Sequence, residues 1–134
     1  MTINEIQDSI IGDFSRFGDY LARYEYITEL GKSLASTEPS IRTDQYALRG
    51  CQSQVWIKAQ MRSERIVFTV DSDSLIIRGI LVLIIRVINN RKPADIVNAD
   101  LYFIKEIGSL SPSRTNGISS IIKTIRHLAE EYLN

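Results

Sequence analysis

One cysteine, Cys51, and one histidine, His127, are the soft nucleophile and the neutral base available to this chain of 134 residues. One thiol excludes an intramolecular disulfide, and the pair cannot assemble a Cys/His zinc site or a three-cysteine cluster site within one chain. Cys51 follows Gly50 and precedes Gln52, Ser53 and Gln54, between two stretches that read as strands, which places it at a turn. A lone cysteine is often only a small buried hydrophobe. The flanking residues, however, are not core companions, and Gly50 permits backbone conformations that a sulfur presented on a loop tip requires.

Two further residues break local rules. Arg114 lies in the first turn of the last expected helix, where the helix dipole disfavours a cation by a few tenths of a kcal/mol to about 1 kcal/mol. Gly117, inside the same helix, costs about 1 kcal/mol relative to alanine. Such violations gather at functional sites, although a salt bridge and a close helix crossing explain them equally well. Gly79 within an apolar helix reads as close packing. Asp73 reads as a helix cap rather than a catalytic carboxylate, and His127, beside Arg126 and Glu130, reads as solvated unless the fold brings it to Cys51.

These residues need elements to hold them. Thr2 and Glu5 have capping-box spacing, and Ile3, Ile6, Ile10, Phe14 and Phe17 form the stripe of a helix ending near Gly18. Asp19 caps a second helix with the stripe Tyr20, Tyr24, Ile27, Leu30 and Leu34, followed by a loop through Ser36, Thr37, Pro39 and Ser40. The period then falls to two. Val55, Ile57, Ala59 and Met61 alternate with Gln54, Trp56, Lys58 and Gln60; Ile66, Phe68 and Val70 alternate with Val67, Thr69 and Asp71. The short polar Arg62-Ser63-Glu64 between them predicts an antiparallel hairpin, and Tyr46 with Leu48 supplies a third strand. Asp71, Ser72 and Asp73 can cap a helix over Leu75 to Ile88, a buried run that its composition alone does not separate from a strand. Pro93 opens a short helix through Val97. Ser111-Pro112 opens the last, with the stripe Ile118, Ile121, Ile122, Ile125, Leu128 and Tyr132. The outcome is a single α+β domain over residues 1–134, about three strands packed with helices.

Composition agrees with a folded domain. The chain is 44% hydrophobic and 24% charged, with 16 basic and 16 acidic residues, so neither nucleic acid nor an anionic membrane is favoured as a partner. The run from Leu75 to Ile88 is too short, and with Arg78 and Arg86 too charged, to span a bilayer. The amino terminus lacks a basic stretch followed by a long apolar run, so a cytoplasmic location is expected.

Gly50-Cys51-Gln52-Ser53-Gln54-Val55-Trp56 resembles the signature of the SufE family, sulfur-acceptor proteins that stimulate cysteine desulfurases in iron-sulfur cluster assembly. Asp71-Ser72-Asp73 ahead of a helix containing Gly79, the segment Pro93 to Asp100, and Leu110 to Gly117 resemble further family motifs in the family's order, as does Tyr26 to Gly31. The resemblance implies a curled antiparallel sheet packed with helices, similar to iron-sulfur scaffold proteins. It also implies that Cys51 receives persulfide sulfur from a pyridoxal-phosphate-dependent desulfurase and passes it toward a downstream scaffold. This chain then binds no cofactor and no metal; the pyridoxal phosphate is the partner's. Gly50, Gln52, Ser53 and Asp73 become loop support, and Arg114 a cation near the transfer site or the partner surface. The attacking species must be the thiolate, while an exposed persulfide is lost to oxidants and stray thiols. The expectation is a Cys51 loop that rests against apolar residues and swings out into the partner. Two other functions compete: a cysteine-nucleophile hydrolase or transferase using Cys51 with His127 as base, and a regulatory module that binds without accepting sulfur. The apolar content is compatible with a homodimer, which no residue singles out.

Overall fold

In the computed structural model, which describes residues 1–34, 39–49, 52–107 and 112–133, the longest apolar stretch is a helix at the centre of the core. Helix α1 spans Ile3–Phe14 and α2 spans Tyr20–Ser33. A 3₁₀ turn at Pro39–Ile41 precedes β1, Val55–Arg62, and β2, Arg65–Ser72. Then come α3, Leu75–Ile88; α4, Pro93–Val97; α5, Phe103–Glu106; and α6, Pro112–Glu130. The architecture is α+β, as expected.

Helix α1 starts where its capping box predicts. The Thr2 hydroxyl accepts from Glu5 N at 3.1 Å and Glu5 Oε1 accepts from Thr2 N at 2.9 Å, which lowers the Glu5 pKa below its ordinary value. Asp19 caps α2 by accepting from Ala22 N at 2.7 Å. Ile10 and Phe14 of α1, Ile27 of α2 and nine residues of α3 enter the core. They meet Val55, Ile57, Ile66, Phe68 and Val70 from one face of the hairpin, and Ile118, Ile121, Ile125 and Ala129 from α6. Gln7 is fully buried and docks α1 from within: its amide donates to Asp100 O at 2.9 Å and accepts from Phe103 N at 3.1 Å. Nearby, the Tyr102 hydroxyl donates to Asp8 Oδ1 at 2.7 Å, which raises its pKa.

Helices α2 and α3 cross on two glycines. A methyl group at Gly79 would fall on Ile27 O and lie 2.6 Å from Ile27 Cγ2; one at Gly31 would fall on Leu75 O and lie 3.1 Å from Gly79 N. Both glycines are buried, so close packing accounts for Gly79 as expected.

The sheet departs from expectation in strand number. Among the described residues it has two strands, paired antiparallel from Val55↔Ser72 to Arg62↔Arg65. Tyr46 and Leu48 do not build a third strand. Leu48 N donates to Val55 O at 2.8 Å and Ile57 N to Tyr46 O at 3.0 Å, but only Ala47 pairs, in an isolated bridge with Trp56. Turns from Thr43 to Ala47 curl the chain away before a ladder can lengthen. On the other edge Arg91 makes a matching single bridge to Ile66. Trp56, expected on the polar face, is buried, and Met61, expected on the core face, is exposed. The Arg42 guanidinium, from the segment before β1, lies over the Trp56 ring, while residues 60–65 at the hairpin tip are exposed.

Candidate functional site: the stems of the cysteine loop and the corner that holds them

Gly50 and Cys51 lie outside the described residues, as do residues 35–38 and 108–111 with the expected Ser111 cap. The residues on either side of the cysteine are described. Gln52 is exposed, Ser53 half-buried, and both lead into β1 through Gln54.

Gln54 is gripped by the corner where β2 turns into α3. Its N–H donates to Asp73 Oδ1 at 2.9 Å, and its carbonyl accepts from Asp73 N at 3.2 Å and from Ser72 Oγ at 2.7 Å. Ser72 Oγ also accepts from Ser74 N at 3.1 Å. The helix cap is Ser74, whose hydroxyl accepts from Ile77 N at 3.4 Å. This corrects the reading of Asp71, Ser72 and Asp73 as caps. The strand runs through Ser72, so the corner begins two residues later than composition suggested, and Asp73 turns its carboxylate to the cysteine loop instead of to the helix. On the other side, Leu48 N donates to Val55 O, closing the neck of the loop from the amino-terminal stem.

Behind this neck sits an ion-paired cluster that sequence reasoning missed. The Asp71 side chain is only 1% exposed. Its Oδ2 accepts from Arg42 Nε at 2.8 Å and lies 2.6 Å from Arg42 Nη2; its Oδ1 accepts from Ser72 N at 2.8 Å. Arg78 Nε, buried and without a hydrogen bond, faces the same Oδ1 at 3.6 Å, which is ion-pair rather than hydrogen-bond distance. The Arg42 guanidinium also lies 5.1 Å from the centre of the Trp56 ring, a cation–π distance. The available signal was Arg78 itself: an arginine set among the apolar residues at the start of a buried helix needs an anion to face it.

Arg114 and His127 are placed elsewhere. The Arg114 guanidinium lies 5.5 Å from the centre of the Tyr24 ring on α2, and Gly117 is buried inside α6. Tyr24 and Gly31, the contact point of Leu75, stand two turns of α2 apart, about 10 Å along the axis. Arg114 and Leu75, the first residue of α3, therefore meet α2 at separate levels. His127 is exposed, with Nε2 3.6 Å from Oε1 of Glu131, the residue just past the end of α6.

Among the described residues, no group of three or more His, Cys, Asp or Glu side chains is arranged to hold a metal ion, and no helix is long and apolar enough to cross a membrane. Residues 8–129 match the model of a family described as "SufE: Fe-S metabolism associated domain". The fold is similar to the solution structure of a hypothetical protein from Thermus thermophilus, at a TM-score of 0.75 and 11% identity over 96% of each chain.

Proposed function

The chain belongs to the SufE family, the Fe-S metabolism associated domain, and on that footing we propose that it is a sulfur acceptor whose working atom is Cys51 Sγ. The observation that carries the reading is that the only cysteine falls three residues from each of two pinned stems, Leu48 and Gln54, inside the matched region. A thiol on such a loop reaches into another protein while its base stays fixed.

In the proposed step, a pyridoxal-phosphate-dependent cysteine desulfurase has taken sulfur from free cysteine and holds it as an enzyme persulfide. The Cys51 thiolate attacks the outer sulfur, a new S–S bond forms at Cys51, the old one breaks, and the desulfurase cysteine leaves as a thiolate. No net oxidation or reduction occurs. A scaffold for iron-sulfur assembly then takes the sulfur by the same exchange. One thiol suits this role, because a second nearby would attack the persulfide and release the sulfur. Stimulation follows because the desulfurase is cleared for another turnover. The pyridoxal phosphate stays with the partner, and Asp73 supports the loop through Gln54. The location that goes with this chemistry is the cytoplasm, and the partner surface includes Gln52 and Ser53.

The test is to incubate the protein with a cysteine desulfurase and cysteine and to weigh it by mass spectrometry. Wild type gains the mass of one sulfur atom, Cys51→Ser gains none, and stimulation disappears with it. Stimulation that survives Cys51→Ser defeats the acceptor reading.

A further inference from the structure

We infer that Asp71 is a positioning residue for sulfur transfer: its buried carboxylate, held by Arg42 and Arg78, ties both stems of the Cys51 loop to one corner of the fold. The inference rests on the acceptor reading of Cys51 and adds to it a group that lies in no part of the exchange itself.

The connections run outward from one side chain. Through Oδ1 the carboxylate fixes Ser72 N, and Ser72 together with Asp73 grips both backbone groups of Gln54, the carboxyl-terminal stem. Through Oδ2 it holds Arg42, which leads through the turns at Thr43 to Ala47 into Leu48, the amino-terminal stem. Arg78 anchors the same carboxylate to α3. Three otherwise separate segments thus converge on one anion. Stability alone is a poor reason for such an arrangement, since replacing a buried ion pair by packed apolar groups is often neutral or stabilising. Geometry supplies a better one. Cys51 is three residues from Leu48 and three from Gln54, so it can stray at most about 10 Å from either while both are fixed. That covalent tether to two fixed stems keeps the effective concentration of the sulfur at the partner's persulfide high.

Asp71→Asn keeps the acceptor for Ser72 N but removes the charge that both guanidiniums face. The experiment measures the single-turnover rate of sulfur loading onto Cys51 across desulfurase concentrations, and in parallel the rate of Cys51 alkylation by iodoacetamide, with thermal unfolding as the check on folding. The maximal loading rate of Asp71→Asn is expected to fall about tenfold to a hundredfold, the scale of a reacting atom displaced by an ångström. The half-saturating desulfurase concentration changes little, and alkylation changes several-fold because the loop is no longer confined. Arg42→Gln, at a side chain 45% exposed, moves both rates in the same direction by less, and Arg42→Lys recovers part of the loss. Gln7→Ala, a buried polar loss whose hydrogen-bond partners Asn4, Asp100 and Phe103 include no residue of the corner, is the control: it lowers thermal stability but leaves loading and alkylation unchanged. Wild-type loading and alkylation rates in folded Asp71→Asn, or an equal loss of loading in Gln7→Ala, overturn the inference; if Asp71→Asn does not fold, Arg42→Gln decides by the same criteria. If the wild type accepts no sulfur, the acceptor reading fails by itself. An unchanged alkylation rate in the Asp71 and Arg42 variants then overturns the clamp separately.

Discussion

Gln7 has no charge and no reactive atom, yet its one amide satisfies a carbonyl from the segment between α4 and α5 and the N–H of the first residue of α5. Cutting it back to alanine strands both groups in the interior. Gln7→Ala is therefore expected to cost about 1–3 kcal/mol, read from chemical denaturation. Tyr102, beside it, gives a pH dependence with a definite sign. Its hydrogen bond to Asp8 raises its pKa above the ordinary 10.0, so the stability it contributes is complete below that value and is lost as pH rises through the raised one. Tyr102→Phe should flatten the alkaline fall in the unfolding midpoint, and an unchanged slope refutes the assignment. At this scale the site was half legible. Asp73, named as loop support from its motif, meets Gln54 N, whereas Cys51, named from its type and neighbours, lies outside the described residues. The carboxylate between two arginines was hidden because Arg42, Asp71 and Arg78 are joined only by the fold, across separations of 29 and 7 positions.

Between elements, contact is set by what is missing from a residue as much as by what is present. Gly31 and Gly79 let the backbones of α2 and α3 touch, and a methyl at Gly79 meets main-chain atoms, which cannot rotate aside as a side chain can. Gly79→Ala should destabilise by about 3 kcal/mol, at the upper end of overpacking costs, because the helices must move apart. The hairpin tip has the opposite problem. Ser63 and Glu64 both adopt positive φ, 50° and 70°, in a two-residue turn where Asn-Gly is the low-energy choice. Replacing Ser63-Glu64 by Asn-Gly should raise stability by about 0.5–1 kcal/mol, measured as a shift in the unfolding midpoint without a change in sulfur transfer. Helix positions were readable because caps and stripes are local: Thr2, Asp19 and Pro93 all mark helix starts as their sequence context predicts. Strand number was not. Tyr46 and Leu48 alternate like a strand, but a ladder depends on the path of the chain around Thr43, which periodicity does not record.

The whole molecule joins a family over residues 8–129 and shares its fold with a protein only 11% identical to it, so the pattern of elements is common to two chains whose side chains mostly differ. The expectation of mixed helices and hairpin rested on that pattern rather than on individual residues, and it is the reading that needed least correction. The sheet inside this fold is the smallest kind, and its outer rungs are occupied by unusual means. Along β2, Ile66 N donates to Arg91 O at 2.9 Å, Ile66 O accepts from Asn90 N at 2.8 Å, and Phe68 N is met at 2.7 Å by the side chain of Asn89. A side-chain amide thus imitates the backbone of a missing neighbour. Vacant rungs on an apolar strand are templates on which another chain can crystallise its own strand. Asn89 closes one such template at the cost of a single residue. Asn89→Ala should leave the core intact and yet clump on gentle warming, visible as light scattering well below the unfolding midpoint, so that solubility hangs on the amide of one side chain.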